Sequence, residues 1–241
     1  MLETAFLPSV HGFGFPNAWE GSVVRLSVGG RPFVIAIRGR CGGMAFAALD
    51  LFRAGEAASR LTTGRELPER SSALARYIMR RQVESLGGGF GANIARFMAW
   101  TLMPTGTSVG TAAVTRRREL GKVLVSMVAK NPVPVGLLTV DRLGGMGLNH
   151  QVVAYAAERD DHELRIRVYD PNFPGRDDVV LTVPWNGSDT IVESVGSVAR
   201  KQWRGLFVES YSARVVPPGV RERSVAQLGL RDHGGLDGSH E

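Results

Sequence analysis

Residues 148–172 read LNHQVVAYAAERDDHELRIRVYDPN, and they hold the clearest strand pattern in the chain. A predicted strand at 151–157, apolar after Gln151, is followed by apolar and polar residues that alternate from 164 to 169. Alternation with a period of two is typical of a half-buried strand. The polar residues at 159–162 between the two runs are a turn signal. The segment therefore predicts a β-hairpin with its turn near residue 160.

Further β segments flank this hairpin, and one more pair lies near the N-terminus. Strands are expected at 133–140, 179–183 and 206–211, with an earlier pair at 22–27 and 32–37 around the turn signal Gly29-Gly30. The intervening chain has apolar residues at helical spacing instead. Helices are expected to begin near Gly42, Ser71, Gly91 and Thr115, with the glycines at 87–89 ending the second of them.

Helices followed by strands indicate the α+β class. The length of 241 residues favours one domain, which we place at 1–216. We expect a helical lobe at about 41–131, packed against an antiparallel β lobe at about 132–216. Residues 217–241 contain few apolar residues, so this segment is expected to be a disordered tail.

The composition excludes several classes of protein. The chain is 44% hydrophobic and 22% charged, which is ordinary for a globular protein and unlike a disordered one. One cysteine can form neither an intramolecular disulfide nor a Cys-rich zinc site. His11, His162, His233 and His240 have no metal-ligand spacing with one another. The glycine-rich stretch 87–91 lacks the Lys-Ser/Thr of a phosphate loop. No metal and no cofactor is therefore expected.

The net charge of +6 raises the question of nucleic acid binding. The basic residues are scattered, however, and the run at 116–118 has no aromatic residues interleaved, so a solvated helix face is expected there and no nucleic acid partner. No stretch approaches the roughly 18 apolar residues of a membrane span, so no membrane partner is expected. The N-terminus lacks the features of a Sec signal peptide. The expected location is the cytoplasm, or outside the cell after export without a Sec signal.

Cys41 stands directly before the first helical pattern, in the sequence RGRCGGM at 38–44. Unpaired backbone N–H groups and the helix dipole at such a position favour the thiolate over the thiol. Arg38 and Arg40 would add positive charge, and the flanking glycines would let a substrate backbone approach the sulfur. A buried structural cysteine is the alternative interpretation.

His150 opens the first strand of the hairpin, and Asp170 ends the second. With the turn centred between 160 and 161, residue 151 pairs with 170 and residue 150 with 171. A carboxylate beside the histidine can hold the imidazole through one nitrogen, leaving the other to take a proton from sulfur. A locally paired histidine and a plain Asp-Pro turn are the alternatives.

The chain order Cys, His, Asp and the surrounding residues resemble the papain-like cysteine peptidase superfamily. The most similar branch is that of the bacterial bacteriocin-processing (double-glycine) peptidases. The resembling stretches lie at 39–50, 132–137, 149–155 and 167–172. The resemblance implies a helical lobe that carries the nucleophile, a β lobe that carries the base, and an active site between the lobes.

By this resemblance Cys41 is the nucleophile, His150 the general base and acid, and Asp170 the orienting residue. The implied reaction is acyl transfer through a thioester, which usually ends in hydrolysis of a peptide or protein substrate. Papain-like enzymes also have a Gln shortly before the cysteine, but residues 35–40 read IAIRGR and contain none.

The oxyanion of such a reaction needs hydrogen-bond donors. The backbone N–H of Cys41 can supply one donor. A side-chain donor has to come from elsewhere in the fold. Asn17, Arg38 and Asn149 are the candidates.

Three functions stay open from the sequence. The first is a thiol hydrolase that cleaves peptide or isopeptide bonds through the triad. The second is an acyltransferase of transglutaminase-like type with the same triad, favoured if water is excluded from the thioester. The third is a papain-fold binding or effector protein without catalysis, which the missing Gln favours.

Overall fold

The computed structural model describes residues 1–28, 31–62, 64–139, 143–185 and 190–221. The helices in these ranges are α1 (Pro8–His11), α2 (Cys41–Arg53), α3 (Ala73–Leu102), α4 (Thr111–Val114), α5 (Leu120–Val128) and α6 (Pro218–Arg221). A π-helical turn at Thr115–Glu119 joins α4 to α5, and 3-10 turns lie at Ala58–Arg60 and Leu143–Leu148. No helix in the described ranges has the length and hydropathy needed to cross a membrane.

The strands belong to two antiparallel sheets. They are β1 (Leu2–Glu3), β2 (Ser22–Val28), β3 (Arg31–Ile37), β4 (Val133–Leu138), β5 (His150–Arg159), β6 (Glu163–Tyr169), β7 (Val179–Pro184), β8 (Ile191–Val195), β9 (Val198–Trp203) and β10 (Gly205–Val208). The large sheet has the order β10-β4-β5-β6-β7-β8-β9, and β1 also pairs with β5. Strands β2 and β3 form a separate hairpin.

The protein is therefore α+β with an antiparallel sheet, as the sequence predicts. The sheet is covered on both faces rather than on one. Val153 and Tyr155 of β5 share a core with α2 and the start of α3, whereas Val152 and Ala154 share a second core with α5. This explains why 152–157 reads as an unbroken apolar run, because a strand buried on both faces favours apolar residues on both.

The glycines at 87–89 do not end a helix, which corrects the expectation of two helices there. α3 runs unbroken from Ala73 to Leu102. A glycine inside a helix costs only about 1 kcal/mol relative to alanine. Leu86, Ile94 and Phe97 lie on both sides of the glycines and share one core, and their burial outweighs that cost.

Strands β8 and β9 of the large sheet, like the two-residue β1, are absent from the sequence prediction. β9 reads Val-Ala-Arg-Lys-Gln-Trp and is exposed at every position except its last residue. An exposed edge strand carries no apolar alternation, so periodicity does not indicate it. These two strands nevertheless bear on the site, because each contributes a buried side chain to it.

The beginning of the predicted tail is ordered. Pro218–Arg221 forms α6, and Val216 and Val220 are buried in the core shared by α2 and α3. Two apolar residues spaced four apart are enough to pack a single helical turn against the core. The overall polarity of residues 217–241 does not indicate such a short packed segment. The turn at 29–30, residue 140, and the tail from 222 onward with His233 and His240 lie outside the described residues.

Candidate active site

His150 and Asp170 meet at the edge of the β5–β6 hairpin. Nε2 of His150 lies 2.8 Å from Oδ1 of Asp170, and both side chains are buried. The amide nitrogen of Asn172 lies 3.2 Å from the same Nε2. Because Nε2 faces the carboxylate, Nδ1 is the ring nitrogen left for a second partner.

The register of the hairpin differs by one residue from the predicted one, and the difference matters. Val153 pairs with Tyr169, so continuing the register sets position 172, not 171, opposite His150. A β-bulge between Ala154 and Ala156 shifts the pairing of β5 with β6 by one residue on the side of His150. Residues that face each other across a ladder point to the same side. The predicted register would have turned His150 and Asp170 to opposite sides, whereas the observed one turns them to the same side.

Cys41 is the first residue of α2, and its side chain is buried. Side chains of other segments accept hydrogen bonds from the backbone at the start of this helix. The N–H of Arg40 donates to Oδ1 of Asn17 at 2.6 Å, and the N–H of Gly43 donates to Oε1 of Gln82 at 2.9 Å. The N–H of Cys41 belongs to the first turn, where no acceptor exists within the helix. It is therefore placed to serve as a donor to a ligand.

The sulfur and the imidazole interact. Burial alone would lower the pKa of His150, but the charge of Asp170, the charge of Cys41 and hydrogen bonds to both raise it well above its ordinary value. His150 is therefore an imidazolium at neutral pH. An imidazole within reach of a cysteine sulfur is the pairing that nucleophilic thiol catalysis needs. The structure thus brings Cys41, His150 and Asp170 into one cluster.

Asn17 connects the two halves of this cluster. Its Oδ1 holds the N–H of Arg40, its N–H donates to the carbonyl of Pro171 at 2.9 Å, and its Nδ2 contacts Oδ1 of Asn172 at 3.4 Å. Gly39 allows this approach, since a Cβ there would come within 2.6 Å of the amide and φ is +78°. Asn17 therefore fixes the cysteine loop to the Asp170 loop, a role that the sequence interpretation as an oxyanion donor does not include.

The other two oxyanion candidates differ from each other. The amide of Asn149 is used elsewhere, because its Oδ1 accepts from the N–H of Thr139 and its Nδ2 contacts Thr101. Arg38 is exposed beside Cys41 and makes no hydrogen bond or ion pair with another described residue. Arg40, in contrast, points away from the cluster. It stacks over Trp19 and donates to the carbonyl of Ala75.

Gln82 is a donor that the sequence analysis missed. It comes from α3 and lines the same pocket as Cys41. Its Oε1 is fixed by the N–H of Gly43, so Nε2 is the end of the amide that is left for a ligand. The residue follows Cys41 by 41 positions in the chain, so no local spacing indicates it.

Trp203 of β9 covers the imidazole. Its ring stacks on that of His150 with the centroids 5.9 Å apart and an interplanar angle of 8°. Its Nε1 donates to Oε2 of Glu193 on β8 at 2.9 Å. Nζ of Lys201 lies 3.8 Å from the centroid of the same ring. Strands β8 and β9 therefore complete the side of the site that faces away from α2.

Two cavities meet at the cluster. A narrow pocket of about 30 Å³ is lined by Cys41 and by apolar side chains, among them Ile37, Leu86 and Met146. A wider cleft of about 560 Å³ runs past His150, Asp170 and Trp203. Arg38, Gly39, Gly147 and Asn149 line both cavities and so separate them.

A second buried hydrogen-bond network lies next to His150 and centres on Gln151. Nε2 of Gln151 donates to both carboxylate oxygens of Glu209, at 2.8 and 3.0 Å, and Oε1 of Gln151 accepts from Ser85. Burial raises the pKa of Glu209 to about 8, although Gln151, Arg96 and His150 all act to lower it. Glu193 has a pKa raised to about 8 as well, again chiefly by burial.

These shifts make stability fall as the pH rises from 6.5 to 8. In that window the folded chain holds protons on Glu193 and Glu209 that the unfolded chain has released. The lowered pKa of Asp170 adds no slope there, because its contribution is lost only as the pH falls through the acidic range. We expect the free energy of unfolding in urea to fall by about 3 kcal/mol.

The double variant Glu193→Gln, Glu209→Gln should flatten this profile, because a neutral amide at each position releases no proton. Urea unfolding at pH 6.5, 7.2 and 8.0 measures both chains. A wild-type profile that is level or rises over this window would contradict the protonation of these buried groups.

The described residues contain no cluster of His, Cys, Asp and Glu that could hold a metal ion. Comparison of the chain with protein-family models, with curated proteins and with solved structures finds no match.

Proposed function

We propose that this protein is a papain-like thiol hydrolase that cleaves peptide or isopeptide bonds through Cys41, His150 and Asp170. The observation that carries the proposal is the buried His150–Asp170 pair, 2.8 Å apart, that interacts with a cysteine at a helix start. A structural cysteine has no need of a buried imidazolium beside it. The helical lobe supplies the nucleophile and the sheet supplies the base, which is the arrangement expected of the papain-like class.

The reaction begins with attack of the Cys41 thiolate on the carbonyl carbon of the scissile bond. The oxyanion that forms accepts hydrogen bonds from the N–H of Cys41 and from Nε2 of Gln82. His150 then gives its Nδ1 proton to the leaving amine, and the C–N bond breaks to leave a thioester. Asp170 keeps Nε2 protonated and holds the ring in the orientation that points Nδ1 at the sulfur.

Water completes the cycle. Neutral His150 takes a proton from a water molecule, whose oxygen attacks the thioester carbon. The C–S bond breaks, the carboxylic acid product leaves, and Cys41 and His150 return to the thiolate and imidazolium forms. The general base contributes roughly 10²- to 10⁴-fold to such a step.

The charge of the wide cleft favours a substrate with carboxylate groups. Arg38, Arg200 and Lys201 line the cleft and are exposed to solvent. The negative charge of Asp170 is balanced by the imidazolium of His150, and Glu193 is neutral at pH 7 because its pKa is about 8. The cationic side chains are thus left without an equal negative charge in the cleft.

A screen with peptide substrates tests the hydrolase. We expect cleavage of peptides with Asp or Glu near the scissile bond, and accumulation of an acyl-thioester on Cys41 that mass spectrometry detects after acid quenching. Cys41→Ala should abolish both the cleavage and the adduct. The exposed variant Arg65→Gln, remote from the cluster in sequence and absent from the cavity walls, serves as the control. Failure of wild type to form an adduct with any peptide or activated ester would count against the proposal.

Acyl transfer to an amine is the second candidate, and the burial of the nucleophile favours it. Cys41 and His150 are only 8% and 6% exposed, so bulk water has restricted access to a thioester formed there. Adding a primary amine to the substrate screen separates the two reactions. An amide product in place of the free acid assigns the protein as a transferase with the same triad.

A further inference from the structure

Two carboxyl groups face each other behind the imidazole, and each has one buried oxygen without an N–H or hydroxyl donor. The oxygens are Oδ2 of Asp170 and Oε1 of Glu193, with no donor to either among the described residues. The other oxygen of each group is engaged. Oδ1 of Asp170 accepts from His150 and from the N–H of Asn172, and Oε2 of Glu193 accepts from Trp203.

Buried polar atoms in folded proteins are almost always hydrogen bonded. An ionised carboxylate can only accept, so two ionised carboxylates cannot satisfy each other. A single proton held between them satisfies both oxygens at once and removes the repulsion of two buried like charges. The hydrogen bond between the two side chains is the one that such a proton makes.

The surroundings assign this proton to Glu193. Burial raises the pKa of Glu193 to about 8, and the hydrogen bond and the charge of Asp170 raise it further, against the opposing effects of His150 and Trp203. For Asp170, burial acts to raise the pKa, but the charge and hydrogen bond of His150 overcome this and lower it. The charged groups that act on the pair are therefore the imidazolium on one side and Lys201 on the other, opposite Glu193 on β9.

We infer that Glu193 is a neutral carboxylic acid that donates its proton to Oδ2 of Asp170, and that it acts as a positioning residue for the His150–Asp170 pair. This inference rests on the proposed function for its catalytic meaning. The chain of contacts runs from Cys41 through His150 and Asp170 to Glu193 and closes at Trp203. Trp203 both holds Glu193 through Nε1 and stacks on the imidazole.

Two variants of Glu193 separate hydrogen-bond donation from mere packing. The amide of Glu193→Gln still donates to Asp170 and still accepts from Trp203, so the rate of Cys41 alkylation by iodoacetamide at pH 7 should stay within about threefold of wild type. Glu193→Leu fills a similar volume but leaves Oδ2 without a donor, and we expect the rate to fall about tenfold or more. Rescue by the isosteric amide and not by the apolar leucine is the signature of donation, and equal rates in the two variants would overturn the inference.

A titration independent of reactivity tests the proton itself. Carbon-13 NMR of the glutamate side-chain carboxyls should show two signals that titrate near pH 8 in wild type. One is missing in Glu193→Gln and persists in Glu209→Gln, which assigns it to Glu193. The His150 ring signals should shift near pH 8 in wild type and not in Glu193→Gln. A Glu193 carboxyl already ionised at pH 6 would overturn the inference even if the protein proves to be a hydrolase. A pKa near 8 without peptide cleavage would instead uphold the proton and count against the proposed function.

Discussion

Replacement of His150 by alanine is expected to slow the alkylation of Cys41 at pH 7 by about 30-fold. Without the imidazole the cysteine loses the basic group that it interacts with, and an ordinary thiol is only a few per cent ionised at this pH. The rate of reaction with iodoacetamide follows the thiolate fraction, because the thiolate and not the thiol is the nucleophile. For peptide cleavage the loss should be larger, about 10³-fold, since the proton donor to the leaving amine is removed as well.

The matched control is His162→Ala. His162 lies in the same hairpin as His150 but is exposed in the turn between β5 and β6, at the end opposite His150. Its removal should leave the alkylation rate at the wild-type value. Circular dichroism establishes that both variants are folded. An unchanged rate in folded His150→Ala would mean that Cys41 and His150 do not act as a pair.

Replacement of Gly43 by alanine is expected to destabilise the fold by about 3 kcal/mol or more. A Cβ at this position would come within 2.1 Å of the carbonyl oxygen of Ile78 and 2.9 Å of the backbone nitrogen of Gln82. Both atoms belong to the backbone of α3, so no side-chain rotation can relieve the clash. The helices α2 and α3 would have to separate, which would move Cys41 away from Gln82 and from the sheet.

Gly121→Ala provides the control on another helix. Gly121 lies in α5, and a Cβ there meets no atom within 4 Å. Alanine should therefore stabilise the protein by up to about 1 kcal/mol, the difference in helix propensity. Urea unfolding at pH 6.5 measures both variants. A Gly43→Ala variant as stable as wild type would contradict the close contact between α2 and α3.

Some parts of the site follow from local sequence alone. The apolar run at 152–157 and the alternation after Glu163 predict β5 and β6, and the Asp-Pro-Asn turn marks the end of β6. The glycines after Cys41 precede the apolar pattern of α2. Each of these signals depends on residues within about one helical turn or two strand positions of one another, and for that reason a single sequence contains them.

Other parts depend on contacts between distant segments. The bulge between Ala154 and Ala156 decides that His150 and Asp170 point to the same side, and turn composition does not indicate it. Gln82 lines the pocket of Cys41 because α3 crosses α2 closely at Gly43. Glu193 and Trp203 come from strands with little apolar alternation, and only the sheet order brings them behind the imidazole.

The sequence by itself determined the class of fold, the position of most strands, and the three residues whose chemistry can be combined. It did so because hydrophobic periodicity and turn residues act locally. Only the tertiary structure decided which oxygens and nitrogens face each other, since hydrogen bonds of 2.8 Å depend on the register and packing of whole elements. Glu193 lies 23 residues after Asp170 in the chain, and it becomes a partner of that carboxylate only when the sheet has formed.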